Sequence, residues 1–480
     1  MITRYARTKS TLSHKLPFVK IPVPPEIGFG PLTTSLPYLT KGNGFKGFFK
    51  RMQTIHNDLG PIVRIRFMPF TPYIVSTTDP DAVAQIYRQE GPMPQRFKKT
   101  IWELCLNTKT GKTSLNDHLL RPNNIPTWLS RIDAVAQDVA TRIQNEAATN
   151  NGSITLNPII SAYTLESLSS IVFGKRMGCI GPDPNVPIDE RAKQFTDAIH
   201  GFFTTSERIF YIPDNLPTWF YSCIPEYKKL VQHVKFVFDF GEEMVLEKIK
   251  ANDSTGTDLL TLFLSRPELS EREAISQAIE VLLGGVDTTA IALLWLLYSI
   301  AAAPNSSEIQ MKIRNEVNLA TGSKKVIDEE ALGKLTYIRA CVKEALRLYP
   351  PTNAQMRTAV DDMTLLGYDI PKGSILVMSI YVMGRNSNIF ENPDDFIPER
   401  WLERENKLNR SNAAYSTIPF SMCTCVGRRL AETEMYILLA HIVRNLDLQW
   451  PSTESLLQGE LRTLLTPEKP LTISCQPVAK

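Results

Sequence analysis

Residues 419–434 read PFSMCTCVGRRLAETE: two cysteines one residue apart, then a glycine, two arginines and the start of an apolar-periodic run. Three chemistries are open to Cys423 and Cys425. A closed zinc site needs four ligands, and no second cysteine or histidine pair stands at finger spacing. The six histidines, His14, His56, His118, His200, His233 and His441, are dispersed. A disulfide between residues two apart is strained. What remains is one cysteine as an axial ligand, held just before a glycine turn and the helix RRLAETEMYILLAHIV, whose N-terminal dipole stabilises a thiolate.

Working outward, the chain has 480 residues, 43% of them hydrophobic, enough to bury a large core. Lysine and arginine number 53 against 50 acids, and a net charge of +3 exerts no global pull on nucleic acid, so none is expected as a partner. The seven cysteines are scattered and odd in number, unlike the framework of a secreted, disulfide-stapled domain. The N-terminus carries Arg4, Arg7, Lys9, Lys15 and Lys20 and no acid before Glu26, the composition of a mitochondrial transit peptide over residues 1–20. No apolar run reaches the roughly 18 residues of a spanning helix. Two phosphate-loop look-alikes are set aside. GNGFKG, at Gly42, Gly44 and Gly47, lacks a preceding strand, and TGKTS has Leu106 where a Walker loop needs glycine.

The periodicity predicts a mainly α fold with a small β portion. A helix covers GFKGFFKRMQTIHNDLG, a strand pair lies around PIVRIRFMPFTPYIVST, helices dominate from 125 to 350, and short strands return in MTLLGYDIPKGSILVMSI and at the C-terminus. Residues 21–480 read as one domain. Ser270 and Glu273 form a capping box opening a helix that Pro304 closes, on the order of 50 Å long. In its middle stand Gly284, Gly285, Val286, Asp287, Thr288 and Thr289. Adjacent helical glycines cost about 1 kcal/mol each, so something large or reactive is expected against them. Glu344 and Arg347 in KEALRLYPP stand one turn apart, and Arg400 in FENPDDFIPERW can close a Glu-Arg-Arg network with them.

In this order the Gly-Gly-x-Asp-Thr-Thr helix, Glu-x-x-Arg, Pro-Glu-Arg-Trp and Cys-x-Gly-Arg-Arg-Leu-Ala-Glu resemble the cytochrome P450 family of haem-thiolate monooxygenases. The resemblance implies the P450 fold, with haem b between the long central helix and the cysteine loop, and dioxygen as co-substrate. It makes Cys425 the iron ligand, because Gly427 follows it at plus two. It makes Asp287 and Thr288 the proton-delivering pair, Glu344, Arg347 and Arg400 the structural triad, and Arg357, Gly427 and Phe420 haem contacts. Leu282, Gly285, Thr289, Thr352 and Ala354 are implied to line the substrate pocket.

EGPMPQR and the presequence-like start resemble the mitochondrial class. That likeness implies a sterol or steroid substrate, an adrenodoxin-like ferredoxin with its NADPH-dependent reductase, and the matrix face of the inner membrane. Arg339 and Lys343, one turn apart, are implied to dock the ferredoxin, and the loop IFYIPDNLPTWFY to make peripheral membrane contact. Two segments depart from the family pattern. The cysteine loop is short, with Cys423 where the family has arginine, and KKTIWELCLNTKTGKTS lacks a helix's length and an arginine. The alternative these departures leave is a non-catalytic or haem-poor relative that kept the fold.

Overall fold

The computed structural model describes residues 15–24, 48–65, 73–89, 122–186, 189–209, 217–250, 256–402, 425–461 and 463–478. Phe420, Cys423, residues 98–114, most of the transit-like N-terminus and residues 210–216 of the aromatic loop lie outside them.

In chain order the main elements are α1 (Phe48–Leu59), β1 (Ile62–Ile65), β2 (Ile74–Thr77), α2 (Pro80–Gln89), α3 (Leu129–Thr149), β3 (Ser153–Thr155), α4 (Asn157–Val172), α5 (Glu190–Ile209) and α6 (Pro225–Lys250). Then come α7 (Glu271–Ala302), α8 (Ser306–Thr321), α9 (Thr336–Leu348), β4 (Gln355–Thr358), β5 (Met363–Leu365), β6 (Tyr368–Ile370) and β7 (Ile375–Met378). The chain ends with α10 (Arg428–Asn445), β8 (Leu446–Gln449), β9 (Gly459–Leu461), β10 (Leu465–Pro467) and β11 (Thr472–Pro477). Helices dominate, as the periodicity predicts. The strands fall where short β-branched runs alternate.

Packing divides the chain into two compact units, Met1–Phe97 with Ala354–Met383, and Lys98–Asn353 with Gly384–Lys480. In the first, a four-stranded sheet runs β1-β2-β7-β4. Its β2 and β7 are parallel with Val75 opposite Leu376, while β4 is antiparallel to β7 with Arg357 opposite Leu376. The β5–β6 hairpin turns through Leu366 and Gly367, both with positive φ, a backbone region natural for glycine and uncommon for leucine.

The second unit is built around α7. Its Ser270 hydroxyl accepts from the Glu273 amide while the Glu273 carboxylate accepts from the Ser270 amide, the capping box the sequence predicts. This helix is long and apolar enough to cross a membrane, yet 78% of its most apolar window is buried inside the protein, the mark of a core helix. It packs on α4, which is buried from Ala162 to Val172. Next to these, α10 packs against α3, and both contribute to one continuous apolar core.

Candidate active site

Midway along α7, the side chains of Asp287 and Thr288 diverge by about 100°, as successive helical residues must. The Thr288 hydroxyl turns back to donate to the Gly284 carbonyl at 2.7 Å. Asp287 is buried and faces α5, its Oδ2 3.6 Å from His200 Nδ1. The two glycines differ. A Cβ added at Gly285 would meet Leu168 Cδ1 at 2.7 Å, so Gly285 serves the contact with α4, whereas one at Gly284 would meet nothing within 4 Å. Leu282 and Thr289 are buried, Thr352 is exposed and Ala354 is half-buried. The open position on α7 is Gly284, the first of the two adjacent glycines that the sequence singles out.

Cys425 is exposed and carries no disulfide. Its carbonyl accepts from the Arg428 amide at 3.1 Å, and the Gly427 carbonyl accepts from Ala431, so the chain enters α10 directly behind the cysteine. Val426 packs on the core and most of α10 from Leu430 to Val443 is buried. This geometry presents the thiol beside the positive end of a fixed helix dipole, an environment that favours thiolate. The α7 and α10 helices pack on each other within the same unit.

Glu344 and Arg347 are fully buried and form a two-point pair, Arg347 Nε and Nη2 donating to Glu344 at 2.9 and 2.7 Å. Arg400 Nε adds a third bond at 2.9 Å, Trp401 Nε1 a fourth at 2.8 Å, and the Ile397 amide a fifth at 3.0 Å. The free ends of the guanidiniums donate to the carbonyls of Gly384, Pro393, Asp395 and Asn392. A buried charge network is tolerated when its donors are spent in this way. The sequence pointed to the three charges; Trp401 was missed, although it directly follows Arg400 in the same short 3-10 turn.

Arg339 and Lys343 lie on one face of α9 but are only partly exposed. Arg339 donates to the Leu332 carbonyl at 2.8 Å and sits over the Tyr436 ring, while Lys343 lies over Trp401. Burial lowers the Lys343 pKa, the neighbouring guanidiniums of Arg428, Arg339 and Arg429 add to that, and Glu432 opposes it. Sequence reading did not join Arg428 and Arg429 to this basic cluster, because they stand some 85 positions away and only the approach of α9 to α10 brings them there.

Arg357 belongs to the other unit. It is nearly buried on β4, donates to the Met356 carbonyl at 3.0 Å, lies over Tyr87, and lines a cavity of about 840 Å³ with Gln85, Asp361 and Asp369.

The cytochrome P450 family model matches residues 24–475 of this sequence. This chain belongs to the cytochrome P450 family. It is 26% identical to mouse (Mus musculus) "Cytochrome P450 11B2, mitochondrial", over 92% of this chain and 89% of that one. It is 28% identical to the "Cholesterol side-chain cleavage enzyme, mitochondrial" of Mesocricetus auratus, over 97% and 90%. In three dimensions it matches a solved cytochrome P450DA heme domain with a TM-score of 0.77 at 19% identity, covering 97% of this chain and 98% of that one, which establishes the P450 fold. The cofactor of this P450 family is haem b, its co-substrate dioxygen, and its activity that of a monooxygenase.

Proposed function

We propose that this chain is a mitochondrial-type haem-thiolate monooxygenase that hydroxylates a lipophilic sterol or steroid. The observation that carries the reading is Cys425, exposed at the head of the buried helix α10, in the unit where α7 bares its backbone at Gly284. This donor set suits haem b, since a soft thiolate is the ligand of P450 iron and a flat macrocycle needs a backbone face without a side chain. When bound, the haem activates dioxygen, with the thiolate favouring O–O cleavage.

In this reading Cys425 is the axial ligand, with Gly427, Phe420 and Arg357 as further haem contacts. Asp287 and Thr288 hold and pass protons on α7. Glu344, Arg347 and Arg400 fix the segment between α9 and the cysteine loop, and Leu282, Gly285, Thr289, Thr352 and Ala354 contribute to the substrate pocket. The relatives named above, both mitochondrial by name and one a cholesterol side-chain cleavage enzyme, support a steroid-like substrate and a mitochondrial location. In this reading the enzyme resides on the matrix face of the inner membrane and residues 1–20 are its transit peptide. Arg339, Lys343, Arg428 and Arg429 form the docking surface for an adrenodoxin-like ferredoxin, itself reduced by an NADPH-dependent reductase. Trp219 and Phe220, both exposed, end the loop proposed to touch the membrane.

The test is an absorption spectrum of the reduced, carbon monoxide-treated protein beside Cys425→Ser and Cys423→Ser. A strongly red-shifted Soret band lost only in Cys425→Ser is the expected result. Absence of the band from folded wild-type protein supplied with haem would overturn the reading in favour of a haem-poor relative.

A further inference from the structure

Asp287 has a neighbour that none of the motifs includes. A cavity of about 310 Å³ is lined by His200, Thr204 and Phe203 of α5, Asp287 of α7, and Glu468 and Lys469 beyond β10. Its Asp287 wall is dry and its His200 wall is wet: the two side chains are 9% and 66% exposed. The imidazole Nδ1 is 3.6 Å from the Asp287 Oδ2. A buried carboxylate therefore stands beside a solvent-exposed histidine, the side chain whose charge changes nearest neutral pH.

We propose that His200 supplies protons from solvent to Asp287, and so sets the protonation and orientation of a residue that faces away from Thr288. The proposal rests on the proton-delivering role of Asp287 given above. The step moves one proton and no electrons: solvent gives a proton to Nε2, the proton on Nδ1 passes to Asp287 Oδ2 and leaves the neutral Nε2–H tautomer, and uptake of a solvent proton at Nδ1 with return of the Nε2 proton to water restores the donor. A small rotation of the exposed ring closes 3.6 Å to hydrogen-bonding distance, the tightening expected of such contacts when a site is engaged. His200 acts through Asp287 and is a positioning residue.

Other charges among the described residues stand near this pair. Glu468 and Lys469 share the cavity wall, and Lys469 pairs with Glu454. On α5 itself Asp197 stands one turn before His200, and the Thr204 hydroxyl donates to the His200 carbonyl at 3.0 Å. From α6, the His233 ring lies against the backbone at Gly201, its pKa lowered by burial and by Lys229. Asp287 is the carboxylate that reaches the His200 ring at ion-pair distance among the described residues.

The experiment is a ring-carbon NMR titration of the haem-loaded full-length protein, with the His200 signal assigned by its loss in His200→Gln. Asp287→Asn is expected to move the His200 midpoint down by about half a unit or more, as removal of an opposite charge requires. An unmoved midpoint overturns the pairing.

The second readout is oxygen consumption driven by reduced ferredoxin, with the share released as hydrogen peroxide, across pH 5.5–8.5. His200→Gln should raise that share severalfold and erase the inflection that a titrating histidine places within this range. A pH profile that His200→Gln leaves unchanged would mean a surface ion pair that merely ties α5 to α7, and the proposal fails. Absence of the thiolate-haem band in all variants would instead end the monooxygenase reading, whatever the titration shows.

Discussion

Glu434 on α10 is fully buried, and neither carboxylate oxygen has a hydrogen-bond partner among the described residues. Burial pushes its pKa from 4.5 up to about 8, with the poorly aligned Ser167 hydroxyl acting the other way. Folded protein therefore holds a proton there that unfolded chain releases above pH 4.5. By linkage this group's stability contribution is complete below that value and is lost as pH rises through about 8, each unit in the window being worth about 1.4 kcal/mol. Urea unfolding between pH 5 and 8.5 should show wild-type stability falling over the window by a few kcal/mol. Glu434→Gln should remove most of that fall; equal slopes in the two proteins would show that the carboxyl is hydrated.

At the scale of elements, α7 shows what a sequence can and cannot disclose. Its ends were legible, because Ser270 with Glu273 and the following Pro304 are local signals whose partners lie within one turn. Which glycine faces the site was not, because that depends on where α4 lies. Leu168 of α4 occupies the side of Gly285 and leaves Gly284 open. The buried triad was legible for a related reason: Glu344 and Arg347 share a helix face, while Trp401 reaches the same carboxylate only through the turn at Pro398–Trp401. A pair of substitutions follows from this asymmetry. Measured on the haem-free protein, Gly284→Ala should stabilise by about 0.5–1 kcal/mol in urea unfolding, the ordinary helical gain over glycine, because the added methyl meets no protein atom within 4 Å. Gly285→Ala must displace the buried Leu168 terminus, and the overlap should cancel that gain or reverse it. Equal gains at both positions would mean that the α4–α7 contact yields freely.

At the scale of the whole molecule, net charge misleads. A value of +3 gave no global electrostatic signal, yet Arg339, Lys343, Arg428 and Arg429 gather at the approach of α9 to α10 with Glu432 among them. Arg428 is engaged with Glu432 at 2.7 Å, Arg339 is held by Leu332 and Tyr436, and Lys343 is half-buried. Arg429, with its side chain 54% exposed, is the cation best placed to meet an acidic partner. Charge reversal there should act on encounter and leave the haem environment alone, since long-range attraction governs association more than the chemistry after it. On the proposed ferredoxin docking, the KM of Arg429→Glu for ferredoxin is expected to rise about tenfold at low salt, some 1.4 kcal/mol. The difference from wild type should shrink as ionic strength rises and the Debye length falls below ~10 Å. Lys235→Glu, a more exposed cation on α6, serves as the control that keeps the wild-type KM. A fall in kcat with unchanged KM would place Arg429 in the positioning of Cys425 and move the docking surface elsewhere.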